Sequence, residues 1–112
     1  MAFLKNQSNL KEKVFEVVKK IPHGKVATYG QVSDELRIMN HELRINPKMV
    51  GWMLHQNKDL KVPCHRVVDR NGRLAPNFAF DGWKEQRRRL LLEKVPFVDN
   101  NHVDLRKCLW TV

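Results

Sequence analysis

The stretch that decides the fold is TYGQVSDELRIMNHELRINPKMVGWMLHQN, residues 28–57. Thr28 and Gln31 have the spacing of a capping box, in which two side chains satisfy free backbone N–H groups, so a helix is predicted to start there. After a polar connection, Asn46 and Pro47 supply an N-cap and a first-turn proline for a second short helix. Two short helices joined in this way indicate a helix-turn-helix, although many such pairs do not touch DNA.

The chain before this stretch predicts one further helix. Asn9 and Glu12 form a capping pattern that would start it. Apolar residues then recur at helical spacing, at Val14, Val17, Val18 and Ile21. The sequence PHG at residues 22–24 is expected to end this helix.

The chain after the stretch predicts β-structure and a last helix. Residues 60–68 are rich in β-branched side chains and predict a strand, and Asn71-Gly72 predicts a hairpin turn after it. Asp81 is expected to cap a helix that ends near residue 93, with Trp83 and the leucines at 90–92 as its buried contacts.

Length and charge favour one domain with a polyanionic partner. The 112 residues predict a single α/β domain, residues 1–112, mostly helical and winged-helix-like, with a small β-hairpin and a further hairpin expected at 97–105. A formal net charge of +9 suits nucleic acid, although a solvated basic surface would carry the same charge. No apolar run predicts a signal peptide or membrane span, so we expect a cytoplasmic monomer with no membrane partner.

Residues that carry chemistry lie in VPCHRVV, residues 62–68. The thiolate is the nucleophilic form of cysteine, and neighbouring His or Arg charge lowers the pKa of a thiol, so Cys64 is a candidate nucleophile. The alternative is a small buried hydrophobe. His65 would be a base or proton relay, oriented by an acceptor such as Glu93. Because alternate residues of a strand face opposite ways, this relay would need an ordered water or a bend at Pro63.

Metal chemistry is not predicted. The five histidines are scattered and no Cys-x-x-Cys pair is present, so ligand spacing is missing. The two cysteines are expected to be free thiols in a reducing compartment.

These motifs resemble the C-terminal domain of the O6-alkylguanine-DNA alkyltransferase family, also called methylated-DNA–protein-cysteine methyltransferases. The resemblance covers roughly residues 10 to 95, and its most specific part is PCHRV at residues 63–67. The supporting segments are residues 21–30, Val50-Gly51, Asn57 and residues 91–93. The closing Val103-Asp104-Leu105 and Trp110 also resemble a small alkyltransferase-like subgroup, most of whose members carry Trp where this chain has Cys64.

The resemblance implies DNA repair without a cofactor. Cys64 would accept the alkyl group from the O6 atom of a damaged guanine in one irreversible turnover. His65, through a water, and Glu93 would support the thiolate, and Asn57 would hold the active-site turn. A thiol cannot reach an O6 atom inside a stacked duplex, so the nucleotide must be flipped out.

The resemblance also implies a DNA interface in which the third helix enters the minor groove. Tyr29 would assist the flipped nucleotide and its phosphate. Lys48 stands where the family usually has an arginine that fills the vacated stack, and lysine is a poorer stacking wedge. The substrate loop reads APNFAFDG, residues 75–82, instead of the family's glycine-rich sequence. The residues expected to contact DNA are Thr28, Tyr29, Lys48, Gly51, Trp52 and Arg66.

Three functions stay open at this point. The preferred one is direct repair by alkyl transfer to Cys64. A non-enzymatic damage sensor would bind O6-alkylguanine DNA and recruit other repair proteins; the short chain, Lys48 and the altered loop favour it. A plain helix-turn-helix module with an inert cysteine would leave residues 63–67 unexplained.

Overall fold

The computed structural model describes the backbone of residues 2–111 and the side chains of residues 10–111. The α/β, mostly helical architecture predicted from the sequence is confirmed. The helices are α1 (Ala2–Lys19), α2 (Tyr29–Met39), α3 (Pro47–His55), α4 (Trp83–Leu92), α5 (Leu105–Cys108) and a 3₁₀ turn at Cys64–Arg66. The strands are β1 (Ala27–Thr28), β2 (Val67–Val68), β3 (Phe97–Asp99) and β4 (His102–Val103).

Local capping places α2 and α3 as the sequence predicts. The Gln31 backbone N–H donates to Thr28 Oγ1 at 3.1 Å, and the Thr28 N–H donates to Gln31 Oε1 at 2.9 Å, which completes the capping box. The Asn46 side chain accepts from the backbone N–H of Met49 at 2.9 Å, and Pro47 is the first helical residue. The helix-turn-helix prediction is therefore confirmed, with α3 ending at His55.

The core lies among α1, α2, α3 and the Cys64 turn. Fully buried aliphatic side chains dominate it, and each contributes about 1.5–3 kcal/mol of transfer free energy. Its central members are Val14, Val18, Ile21, Val32, Leu36, Val50 and Val67. A second cluster packs between α4 and the C-terminal segment, with Val26, Val68, Leu74, Leu90 and Val103.

A short parallel pair joins the helix-turn-helix to the cysteine motif. Ala27 of β1 pairs with Val67 of β2, and Thr28 pairs with Val68. Since β1 leads directly into α2 and β2 follows the Cys64 turn, this pairing sets Tyr29 beside Cys64. The expected C-terminal hairpin is confirmed as β3 and β4, with an irregular register.

The strand predicted over residues 60–68 is wrong for most of its length. Only Val67–Val68 is a strand, and Cys64–Arg66 forms a 3₁₀ turn. Pro63 has no N–H to give to a sheet, and the local bonds Cys64 N–H to Val62 O (2.8 Å) and Arg66 N–H to Pro63 O (2.9 Å) take the place of a ladder. The turn at 71–72 forms, but β2 pairs with β1 rather than across that turn.

Two helix predictions also need correction. Asn9 lies inside α1 rather than at its N-cap, because the helix extends back to Ala2. Gly82, not Asp81, is the N-cap of α4, and Asp81 adopts a φ of 70°. Of the three leucines, only that at 90 is buried, whereas Leu92 is 68% exposed. Consecutive helical residues point about 100° apart, so three in a row cannot share one buried face.

No helix within residues 2–111 is long and apolar enough to cross a membrane.

Candidate active site

Asn57 holds the turn that presents Cys64. Its buried side chain donates from Nδ2 to Asp59 O (3.1 Å), to Val62 O (3.4 Å) and to Cys64 Sγ (3.4 Å), while its Oδ1 accepts from the Asp59 N–H at 2.9 Å. The side chain thus replaces backbone partners that an irregular segment would otherwise lack. It also places a hydrogen-bond donor on the sulfur, where a thiolate would gain most from it.

His65 and Glu93 meet behind the turn. His65 Nε2 lies 2.6 Å from Glu93 Oε2. Burial lowers the pKa of His65 and outweighs the hydrogen bond with Glu93, so the imidazole is neutral at neutral pH. A neutral ring that donates from Nε2 to the carboxylate keeps Nδ1 free to accept a proton. The structure therefore brings together the base and the orienting acceptor that the sequence suggested.

Glu93 is ionised because its partners overcome its burial. Burial would raise the pKa of Glu93, but hydrogen bonds from Arg66, from His65 and from the Gly24 N–H lower it to about 2. Arg66 reaches both carboxylate oxygens, with Nε at 2.9 Å from Oε1 and Nη2 at 3.0 Å from Oε2. A guanidinium matches a carboxylate in this two-bond geometry.

Arg66 has an internal position rather than the predicted place on DNA. Besides Glu93, its Nη1 donates to the Ile21 carbonyl at 2.8 Å, and the side chain is largely buried. The contact ties the end of α1 to the Cys64 turn. The sequence prediction included Arg66 among the DNA contacts on the basis of the family resemblance.

Gln86 is a functional-site residue that the sequence analysis missed. This buried α4 side chain donates from Nε2 to the carbonyls of His65 (3.2 Å) and Val67 (3.0 Å), and its Oε1 accepts from the Ala75 N–H at 2.8 Å. It links the Cys64 turn to the loop that follows β2. Helical spacing was the available signal, since Gln86 precedes buried Leu90 by one turn.

A narrow pocket leads to the thiol. We call it the Cys64 pocket; its volume is about 30 Å³, room for a water molecule but for little more. It is lined by Tyr29, Gly51, Leu54, His55, Ala75, Asn77, Phe78 and Ala79. Burial, the largest cause, and the charge of Asp69 raise the pKa of Tyr29 to about 12, so its hydroxyl keeps its proton.

The Cys64 pocket adjoins a wider cleft of about 450 Å³ beside α3, which we call the outer cleft. Lys48 and Trp52 line it one helical turn apart on the exposed side of α3, and Trp52 is 63% exposed. Arg73 and His55 also line it and were not singled out from the sequence. His55 Nδ1 lies 2.5 Å from the Asn77 carbonyl, a contact that joins α3 to the loop opposite.

The resting thiol is not the low-pKa group that the sequence predicted. Burial raises the pKa of Cys64, while the hydrogen bond from Asn57 and the charge of Arg89 act in the opposite direction. The expected lowering fails because His65 is neutral and the charge of Arg66 is balanced by Glu93. Cys108 is buried too; its thiol donates to the Asp104 carbonyl at 3.1 Å, and burial raises its pKa.

Two further placements complete the site. The hydroxyl of Thr28 is engaged in the α2 capping box, and Gly51 lies against the Tyr29 ring, where an added Cβ would be 3.7 Å from the nearest ring atom. Among the described residues, no three His, Cys, Asp or Glu side chains are grouped as a metal site.

The thiol, the neighbouring histidine–carboxylate pair and the adjacent helix-turn-helix form the arrangement that the resemblance to DNA alkyltransferases predicted. The family model described as 6-O-methylguanine DNA methyltransferase, DNA binding domain, matches residues 9–95. The chain belongs to this family.

Named relatives agree with this assignment. The methylated-DNA–protein-cysteine methyltransferase of Candida glabrata is 33% identical over 98 residues, which are 87% of this chain and 43% of that protein. The protein of the same name from Methanocaldococcus jannaschii is 34% identical over 90 residues, 80% of this chain and 50% of that protein. The chain therefore spans half or less of the length of these relatives.

Solved structures share the fold. S. pombe Atl1, in complex with damaged DNA containing O6-carboxymethylguanine, is 25% identical with a TM-score of 0.76, over 94% of this chain and 97% of that chain. The O6-methylguanine methyltransferase of Mycobacterium tuberculosis is 28% identical with a TM-score of 0.63, over 76% of this chain and 48% of that chain.

Proposed function

We propose that this chain repairs O6-alkylguanine in duplex DNA by transferring the alkyl group to Cys64. The observation that carries the proposal is the position of the thiol. Cys64 Sγ accepts a hydrogen bond from Asn57 and forms one end of a pocket, while the next residue is a neutral base paired with an ionised Glu93. All of these groups come from one chain, so the proposal takes residues 1–112 as one domain acting as a monomer.

The proposed reaction balances without a cofactor. His65 Nδ1 takes the thiol proton through a water, and Glu93 stabilises the imidazolium that results. The thiolate sulfur then bonds to the alkyl carbon as the bond from that carbon to O6 breaks. Guanine leaves as its anion and takes a proton from the neutral Tyr29 hydroxyl. The His65 imidazolium then returns its proton to the Tyr29 oxygen through water, so over the whole reaction the proton of Cys64 is transferred to guanine and both side chains end neutral.

The pocket has to open before this chemistry. A volume of about 30 Å³ does not hold a purine, whereas the adjoining outer cleft is about 450 Å³. Separation of His55 from the Asn77 carbonyl would join the two spaces. We propose that Lys48 and Trp52 contact the DNA at this cleft, with the charge of Lys48 on the backbone and the indole of Trp52 against bases or sugars.

A damage sensor is the second candidate. The structural similarity to Atl1, solved in complex with DNA that contains O6-carboxymethylguanine, and the lysine at position 48 favour it. In this case the protein would hold the flipped O6-alkylguanine and recruit other repair proteins without a covalent step.

Intact-protein mass spectrometry separates the two functions. The chain is incubated with a duplex that contains one O6-methylguanine, with the undamaged duplex as control, and the modified peptide is sequenced. Repair predicts the gain of one methyl group on Cys64 and none with the control duplex. Preferential binding to the damaged duplex with no change in mass would instead establish the sensor.

A further inference from the structure

One wall of the Cys64 pocket is the loop at residues 75–81, which we call the 75–81 loop. Phe78 in this loop is buried in the main core and lines the pocket, and Phe80 is half-buried beside it. The centroids of the two rings are 5.8 Å apart, with the ring planes at 58°. The shape of the pocket therefore depends on what fixes this pair of rings.

Arg89 of α4 contacts both rings. Its guanidinium carbon lies 4.8 Å from the Phe80 centroid and 5.5 Å from the Phe78 centroid, within the range of cation–π attraction. Its Nε donates to Glu85 Oε2 at 3.0 Å, one turn earlier on the same helix. A planar guanidinium can stack on a ring while it donates along its edge, which a lysine cannot do.

The charge of Arg89 is only partly balanced. Glu85 also accepts from Arg88, at 2.6 Å, so one carboxylate serves two guanidinium groups and the three residues keep a formal charge of +1. Among the described residues, the charged and titratable side chains around Cys64 are Tyr29 from α2, His55 from α3, His65 and Arg66 from its own turn, Arg89 from α4, and Glu93 directly after α4. Arg66 is matched by Glu93, which leaves the charge of Arg89 to favour a thiolate; it opposes the effect of burial on the pKa of Cys64.

We infer that Arg89 is a positioning residue for Cys64, which fixes the pocket wall through Phe78 and Phe80 and holds a positive charge near the sulfur. This inference deepens the proposed alkyl transfer and rests on it for its biological meaning. It concerns the reactivity of the thiol, so it can be tested without DNA.

The test measures alkylation of Cys64 by iodoacetamide across the pH range in which thiols ionise, about pH 6 to 11. In this reaction the thiolate sulfur bonds to the reagent carbon and iodide leaves. Peptide mass spectrometry reads Cys64 and Cys108 separately. The midpoint of the pH profile reports how easily the thiolate forms, and the plateau at high pH reports how easily the reagent reaches it.

Three variants test the two proposed roles of Arg89, fixing the pocket wall and supplying positive charge, separately from each other. Arg89→Met removes charge and stacking, so we expect an upward shift of the midpoint and a higher plateau. Arg89→Lys keeps the charge but not the planar stack, so we expect a higher plateau with a midpoint closer to that of the parent protein. Lys84→Met is the matched control, since it also removes one positive charge from α4, but Lys84 is exposed and lies over Trp83 rather than over the two phenylalanine rings, and both readings should stay unchanged.

The results decide each part. An unshifted midpoint in Arg89→Met, or an equal shift in Lys84→Met, overturns the charge role. A plateau that stays at the parent value in both Arg89 variants overturns the wall role. Circular dichroism checks folding. If Arg89→Met does not fold, the plateau of Arg89→Lys decides the wall role, and the midpoint of a second neutral variant, Arg89→Gln, decides the charge role. Because iodoacetamide needs no lesion, none of these outcomes depends on whether the chain repairs DNA.

Discussion

Replacing Glu93 by glutamine tests the centre of the proposed site. The substitution keeps the shape but exchanges one carboxylate oxygen for an NH₂ group. If the NH₂ group takes the place of Oε2, it faces two other donors, His65 Nε2 at 2.6 Å and Arg66 Nη2 at 3.0 Å, and both hydrogen bonds are lost. Hydrogen bonds to charged groups contribute roughly 1.5–3 kcal/mol each, and some relaxation is expected, so we predict a loss of about 3 kcal/mol in unfolding free energy at pH 7.

The loss should depend on pH with a defined sign. Glu93 has a folded-state pKa of about 2, below the ordinary glutamate pKa of 4.5. A lowered pKa adds stability that is present above the unfolded-state pKa and disappears as the pH falls through the folded-state pKa. The difference between parent and variant should therefore be full at pH 7 and should shrink between about pH 4.5 and pH 2.

Urea unfolding at a series of pH values measures this difference. The control is Asp34→Asn, which removes an exposed carboxylate paired with Arg37 on α2 and should cost less than about 1 kcal/mol. Transfer from O6-methylguanine DNA should also be slower in Glu93→Gln, since the imidazolium loses its counter-charge. Equal losses for the two variants at pH 7, or a loss for Glu93→Gln that does not change in acid, would refute the assigned role of Glu93.

Two further predictions concern Cys64 and Lys48. Cys64→Ser should abolish alkyl transfer but keep DNA binding, because a hydroxyl is nearly the same size as a thiol and hardly ionises, whereas Cys108→Ser should keep both properties. Mass spectrometry measures transfer and a gel-shift titration measures binding. A folded Cys64→Ser protein that no longer binds DNA would contradict the separation of the two properties. Lys48→Ala should weaken binding to all DNA and lower the salt slope by about one, as judged by fluorescence anisotropy at several salt concentrations. Lys48→Arg keeps the charge and adds a stacking surface, so it should favour damaged DNA; if neither variant differs from the parent protein on either duplex, Lys48 does not fill the vacated stack.

Local signals explain what the sequence could predict. Thr28 with Gln31, and Asn46 with Pro47, act within four residues of chain, and the structure shows both caps in place. A cap depends on backbone N–H groups that any helix leaves free, so it can be recognised without knowing the tertiary fold.

The geometry of the site could not be predicted in the same way, because it depends on contacts between residues that are distant in the sequence. Side chains of Val62, Val67 and Val68 favour a strand, but Pro63 and the buried amide of Asn57 impose a turn instead. Helical spacing could place Gln86 on the buried face of α4, but not its bonds to the Cys64 turn and to Ala75, which come from segments distant in sequence.

Charge balance was the other limit. A cation beside a cysteine in sequence indicates a lowered thiol pKa, but the sign of the effect depends on whether that cation already has a partner. Arg66 has one in Glu93, 27 residues further along the chain. Arg66, although close to Cys64 in sequence, is therefore not the cation that acts on the thiol. Arg89, on α4, is the one whose charge lowers the pKa of Cys64 against the effect of burial.

The closed His55–Asn77 contact has a consequence for how long the protein stays usable. A nucleophile that is consumed in a single turnover has to survive intact until it meets its one substrate. Oxidants and small electrophiles react with exposed thiolates, and in the free protein Cys64 is both protonated and enclosed. The closed pocket that keeps the guanine base out would then also slow the chemical loss of the Cys64 thiol in the unused protein. Binding of damaged DNA would be the event that makes Cys64 reactive.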